Sequence, residues 1–430
     1  MLPELINKSQ NIEVYNKSFA ENMSDGYTFE IKKKQKLGVR FVYYDKSNHT
    51  LLVSYANTNR VHLLNLLTGE LTYFDHHTST VRNLQVLNNS EIISASWDRT
   101  VCVSSMNDNS FLRLRLTEKG TTGRVPHVAV STDNKFAFTY SYDSDVCYSR
   151  TSNTIRMWNL SDGQLIRTFQ LPGTHIATRR CGSCEVFDNR LYSVSDTGHL
   201  HIYDVNSGEL LFEKFFNELM EAICIIPSIN MIAIAGDNGN IFLCDLSGSV
   251  IAKQIRGHNS SISQLFTFPG KPDILCSVSF DGSTKLWQLP ILNKLFSFPK
   301  LKLIGTAQVY GVSLWSSTII NDHLLCAGEE CDIQIYDLKN MAEPKFKGKL
   351  VFSKDSYAFL SDSNTFYASS DLSLMQVLSK KDRSPLNDEK YAEYLLRANC
   401  NFKVFKDLFS SEEKKMEELQ NKSFGFFQLR

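Results

Sequence analysis

Apolar and polar residues alternate along most of the chain in short runs, and several of these runs end in the same way. RVHLLNLLTGEL spans Arg60 to Leu71, TIRMWNLSDGQL spans Thr154 to Leu165, and HLHIYDVNSGEL spans His199 to Leu210, with a shorter copy, NIFLCDLSGSV, from Asn240 to Val250. Each copy alternates, reaches an aromatic or apolar residue followed by Asp or Asn, and then arrives at Gly. That pattern predicts a strand, a tight turn and the start of a second strand. A supersecondary unit recurring at roughly 40–50 residues cannot bury both of its faces alone and has to stack on its neighbours. The repeat favours a binding platform over an enzyme.

Extended over the chain, the pattern gives eight candidate units. Their innermost strands are predicted to begin near Val39, Val81, Val125, Cys184, Ala222, Ile262, Gly311 and Tyr357. Second strands follow as LLVSY, EIISAS, FAFTYS, RLYSVS, MIAIAG, ILCSVS, HLLCAG and TFYASS. Small residues alternating with large ones suit the narrow inner part of a radial blade.

One unit carries a specific signature. GHNSSISQLFTFPGKPDILCSVSFDGSTKLWQL, from Gly257 to Leu289, resembles a complete WD repeat, with Gly257-His258 near its start, Ser277 on the second strand, Asp281 in the next turn and Trp287 on the third strand. The resemblance implies a buried hydrogen-bonded network of His258, Ser277, Asp281 and Trp287, with the carboxylate as acceptor and the indole N–H as donor. A second unit matches through His77, Ser94 and Asp98, but Ser104 stands where Trp belongs. Elsewhere the closing pair is altered: Trp158-Asn159, Tyr203-Asp204, Cys244-Asp245 and Tyr336-Asp337. The chain is thus similar to the WD-repeat family over about residues 27–380. That implies an all-β propeller in which an N-terminal strand completes the last blade. Tyr27–Lys36 is expected to pair near Phe366–Val377, giving eight blades; seven blades with an appendage is the alternative.

Residues 1–25 read as a polar leader, 26–380 as the propeller and 381–430 as a helical tail. In the tail, Tyr391, Leu395 and Ala398 share a helical face, Phe402, Phe405, Leu408 and Phe409 continue the spacing, and SSEEKKMEEL offers a capped start near Glu413.

Composition narrows the function. The 46 basic and 46 acidic residues cancel, which argues against a dedicated nucleic-acid coat while allowing a local basic patch. Ten cysteines without paired spacing read as reduced thiols; Cys102, Cys244, Cys276 and Cys326 fit strand interiors. MLPELINKSQNIEV has no secretory character, and the most apolar stretch, Ala222 to Gly236, is broken by Pro227, Ser228 and Asn230. A soluble protein of cytoplasm or nucleus is expected.

Catalytic signatures are missing from the sequence: the glycines sit at strand turns, and no HExxH, GxSxG or kinase-like string occurs. No catalytic, cofactor or metal residue is assigned. The single CxxC of Cys181 and Cys184, near His175, His199 and His201, lacks a second pair for zinc. Lys32, Lys33, Lys34 and Lys36 fit a lysine-guarded edge strand. The strongest functional signal is a set of arginines in loops expected on one face: Arg99, Arg124, Arg150, Arg179 and Arg180, with Tyr142 and Tyr148 in a long insertion. Such forks suit carboxylates or phosphates. A second candidate is the aromatic terminus, Phe424, Phe426, Phe427 and Leu429. The expected function is a non-catalytic scaffold or recognition subunit of a multiprotein complex with protein partners. Two alternatives remain open: a receptor for acidic or phosphorylated peptides of the ubiquitin-ligase type, and a non-catalytic subunit of an RNA-processing or tRNA-modification complex. Oligomeric state is left open.

Overall fold

The computed structural model describes residues 27–31, 38–88, 90–108, 111–117, 123–141, 153–172, 182–290, 300–330, 332–353, 355–363, 366–369, 375–379 and 408–409. Within them the chain forms six four-stranded antiparallel sheets, one six-stranded sheet and a two-stranded ribbon. In the four- and six-stranded sheets only consecutive strands pair, so each of these is a meander built outward from an inner strand. The inner strands are Val39–Asp45, Val81–Asn88, His127–Val130, Ser183–Phe187, Met220–Ile226, Ile262–Phe268 and Leu314–Ile320. They define blades one to seven.

The recurring phrase has a local cause. In blade one the Asn65 carboxamide oxygen accepts from the N–H groups of Leu67 (2.9 Å) and Thr68 (3.0 Å). Gly69 then donates to the Asn65 carbonyl (2.8 Å) with φ at +77°. Asn159 with Gly163, Asp204 with Gly208 and Asp245 with Gly248 repeat the turn, each Gly at positive φ. An Asx side chain starts the turn, and a residue without Cβ closes it in the left-handed region.

Seven apolar cores alternate with the seven blades. Each is made by two neighbouring sheets: Leu52, Val61 and Phe74 meet Leu84 and Ile92 between blades one and two, and Cys276, Val278 and Leu286 meet Ile319, Leu324 and Tyr336 between six and seven. The other clusters follow the same scheme. No blade can therefore be removed without baring two faces.

The ring closes at seven blades, which corrects the expectation of eight. Blade seven meets blade one directly: the Val42 N–H donates to Ser316 Oγ, and Ser316 Oγ donates to the Val42 carbonyl, both at 3.3 Å. The Val39 N–H also reaches the Glu330 carbonyl at 3.2 Å. With those strands in contact there is no room for a further wedge. The eighth unit lies elsewhere. Tyr357–Ser361 and Phe366–Ala368 continue blade seven outward as its fifth and sixth strands. Tyr357, fully buried, donates to the Gly69 carbonyl of blade one at 3.1 Å. Tyr27–Ile31 does find a partner, Met375–Ser379, in register Tyr27 to Ser379 and Ile31 to Met375, but the two form a separate ribbon and complete no blade.

Most of the expected helical tail, and residues 1–25, fall outside the described residues. Leu408 and Phe409 are described, with helical backbone. Phe409 is 7% exposed within the core shared by blades seven and one; its carbonyl accepts from Asn321 Nδ2 at 2.6 Å, and its ring meets His323 edge-on. The other helical element described is a short 3-10 turn, Pro227–Ile229, capped by Asn230 at φ +52°.

Candidate interaction site on the upper face

Loops entering each blade, and those joining its second and third strands, emerge together on what we term the upper face. Under it, blade six holds a closed network. His258 Nε2 lies 2.6 Å from Ser277 Oγ, which also accepts from Trp287 Nε1 at 2.8 Å, and His258 Nδ1 lies 3.0 Å from Asp281 Oδ2. The Asn259 N–H and the Ser283 hydroxyl complete the carboxylate's shell. His258, Ser277 and Trp287 are all at most 3% exposed. Blade two repeats it with His77, Ser94 and Asp98, at 2.9 Å for both ring nitrogens. Ser104, at the register position of Trp287, leaves a buried hydroxyl unpaired.

The two histidines differ in charge. Burial pushes His77 down, but hydrogen bonds to Asp98 and to the Cys102 thiol overcome it and raise the imidazole to about 9. His258 is lowered: burial outweighs the Asp281 contact, and the Lys285 charge adds to it. Lys285 and Cys102 hold the same register position, opposite Ser277 and Ser94, so the two rings meet different neighbours there. Both carboxylates sit well below their usual range despite burial, because each accepts from its histidine and from neighbouring hydroxyl and N–H groups.

Above the networks, arginines stack on aromatic rings. In blade two the guanidinium of Arg82 lies 5.0 Å and that of Arg124 lies 4.4 Å from the Trp97 ring centroid. Arg40 lies 4.9 Å from the Trp315 ring, joining blades one and seven, and Arg60 lies 3.7 Å from Tyr73. Arg115 reaches Thr100 Oγ1 at 3.3 Å and the His76 carbonyl. Stacking of this kind fixes the plane of each guanidinium against its ring.

Three of these groups share one origin. Arg40, Arg82 and Trp315 each occupy the bulged position just after the first residue of an inner strand, where the register slips by one. A bulge re-aims its side chain, which here brings Arg40 to Trp315 and Arg82 to Trp97. The same position carries Glu221 in blade five and Ser263 in blade six.

Of the arginine and tyrosine candidates, Arg99 and Arg124 are placed on this face, Arg99 in a turn at φ +73°. Tyr142, Tyr148, Arg150, Arg179 and Arg180 lie outside the described residues, as do Phe424, Phe426, Phe427 and Leu429, Cys181 and the lysine run. Arg82, Trp97, Arg40 and Trp315 were missed. The available signal was an alignment of the units at their inner strands, which sets VR, VR and LW side by side.

Between the inner strands of blades three and four His127 Nε2 lies 3.2 Å from Ser183 Oγ. Its Nδ1 faces the Cys184 thiol at 3.8 Å, and burial lowers the ring to about 4. Glu185 is raised to about 7 by burial and accepts from the Ile225 N–H at 2.7 Å. His199 and His201 stack at 5.6 Å between centroids, with His201 Nε2 3.3 Å from Glu213. Among the described residues no group of His, Cys, Asp and Glu has a geometry that could hold a metal, and no helix is long and apolar enough to cross a membrane.

No protein-family model matches the sequence. The chain is 23% identical over 349 residues to the ribosome biogenesis protein YTM1 of Saccharomyces cerevisiae, covering 68% of this chain and 74% of that protein. With YTM1 of Candida glabrata the identity is 24% over 276 residues, and the match spans only 55% of that relative's length. Telomerase protein component 1 of Rattus norvegicus matches at 24% over 206 residues, 7% of its length. Among solved structures, that of U3-55K superposes with a TM-score of 0.56 at 13% identity, covering 70% of this chain and 92% of that one. These likenesses agree with the strand order, the seven closed sheets and the His-Ser-Asp-Trp network: the chain is a WD-repeat β-propeller of seven blades.

Proposed function

We propose that this propeller is a non-catalytic subunit of an RNA-processing assembly, specifically one that builds ribosomal particles, and that it works in the nucleus. The observation that carries this reading is the likeness to YTM1 over 349 residues, far longer than a single repeat. The site chemistry supports it: the polar clusters are structural networks or lack an oriented base, and the groups on the upper face are suited to holding a partner. The contact surface in this reading is the arginine-bearing upper face, to which Arg99 and Arg124 contribute; Tyr142, Tyr148, Arg150, Arg179 and Arg180, expected from the sequence to join them, lie outside the described residues. A rigid ring of this kind derives affinity from a few anchors on its loops.

Affinity purification of the tagged chain, with mass spectrometry and RNA sequencing of what it retains, tests the proposal. Recovery of ribosome-assembly factors together with ribosomal RNA precursors is expected. Recovery of ubiquitin-ligase subunits without RNA would overturn it and favour a peptide receptor.

A further inference from the structure

On the lower side of the ring, opposite the arginines, blades three and four enclose a groove of about 430 Å³ that no described segment fills. Phe136, Phe138, Met157 and Ile166 line it from blade three, Val186 and Val205 from blade four. The same place between blades seven and one is occupied: Leu408 and Phe409 pack into the shared core, the Phe409 ring against His323 and its carbonyl on Asn321 Nδ2. The strand ladders put the two places in correspondence. In blade three Phe136 pairs with Asn159 and Phe138 with Met157, as in blade seven His323 pairs with Asp337 and Leu325 with Ile335. On the facing blade Val186 pairs with Leu191 as Tyr44 pairs with Leu51. The Val205 N–H donates to the Asn189 carbonyl as the Leu66 N–H donates to that of His49, both at 2.9 Å. Leu66, Leu325 and Ile335 belong to the cluster that holds Phe409, and Tyr44 packs against it.

We propose that the groove between blades three and four is a docking site for a partner protein that inserts two adjacent large apolar side chains, of the Leu-Phe kind, in the way this chain seats its own Leu408 and Phe409. The size fits a pair: the groove has nearly three times the volume of a cavity of about 150 Å³ that admits one benzene ring. The polar groups around it point away from nucleic acid. Lys135 pairs with Asp133 at 3.1 Å, and the Arg167 guanidinium donates to the Ser207 and Asn206 carbonyls at 2.7 and 2.9 Å. With the exposed carboxylate of Asp188 beside them, these groups form no cationic track for phosphates. Arg167 keeps one buried donor, its Nε–H, without an acceptor. That N–H suits a main-chain carbonyl of the incoming pair, as Asn321 suits that of Phe409. The groove and the arginine-bearing face lie on opposite sides of the ring, so the two surfaces stand or fall separately.

Fluorescence anisotropy on the full chain tests the groove, with a labelled peptide of the sequence of residues 403–411, KVFKDLFSS, as the probe. Saturable binding is expected, and a peptide with Ser in place of both Leu and Phe should not bind. Because apolar burial drives it, affinity should change less than about twofold between about 0.1 and 1 M salt. Val186→Trp, which fills the groove, and Ile166→Asp, at a half-exposed position of its wall, should each weaken binding at least about tenfold. Ile166→Asp keeps the test decisive should Val186→Trp fail to fold. No binding by the wild type would overturn the proposal, and so would binding that falls steeply with salt. Wild-type affinity in the folded variants would place the peptide in the seam between blades seven and one and overturn it equally. Displacement of the peptide by oligouridine would assign the groove to nucleic acid and contradict the protein partner.

Discussion

Asp281 takes four hydrogen bonds through its two oxygens, from His258, the Asn259 N–H, and the N–H and hydroxyl of Ser283, which makes it the residue whose loss is easiest to interpret. Replacing it by Ala leaves the Asn259 N–H, the Ser283 hydroxyl and the His258 ring without their acceptor. The expected loss is on the order of 1–3 kcal/mol in denaturant unfolding; an unchanged midpoint would show that water replaces the carboxylate. His77 makes a pH-dependent contribution of definite sign. Its folded-state value near 9 lies above the ordinary 6.5, so its stabilisation is complete below about pH 6.5 and is lost as pH rises toward 9. His77→Gln should flatten the fall in melting temperature over that window; His258→Gln should not, because that ring is already neutral there. At this scale the sequence was most readable where a motif lies within one blade, as His258, Ser277, Asp281 and Trp287 do. Arg82, Trp97 and Arg124 were unreadable as a set: they come from an inner-strand bulge, a turn and a loop of the next blade, and their meeting depends on a register slip that alternation does not reveal.

Blade seven shows what alternation can and cannot specify among the elements. Tyr357–Ser361 has the pattern of an inner strand, yet pairs with Lys345–Phe352 at the outside of its sheet. Period-two patterning marks a strand buried on one face or both and carries no information on its radial rank. Closure without the N-terminal strand has a direct consequence: deleting residues 1–31 should leave the melting temperature within about 2 °C of wild type. A collapse in stability would mean that the ribbon with Met375–Ser379 props up blade seven after all. Phe409 should matter more. It fills the core at the seam between blades seven and one, so Phe409→Ala should cost about 3 kcal/mol. A stable Phe409→Ala protein would place the seam's strength wholly in its strands.

For the whole molecule, seven inter-blade cores make one cooperative ring, and its functional surface is the set of loops that ring holds rigid. The repeat and the family were legible from the chain because each blade restates the same turn. The meeting of Arg82 and Arg124 over Trp97 was not, because it arises only when the ring brings blades two and three side by side. The most direct test of the central claim is gradient sedimentation of the tagged chain from cell extract, with wild type compared against a folded Arg99→Glu, Arg124→Glu double variant. The expected result is wild type in large, RNA-containing fractions and the variant shifted to the position of the free protein. Wild type sedimenting alone, or both proteins sedimenting together in the heavy fractions, would contradict it.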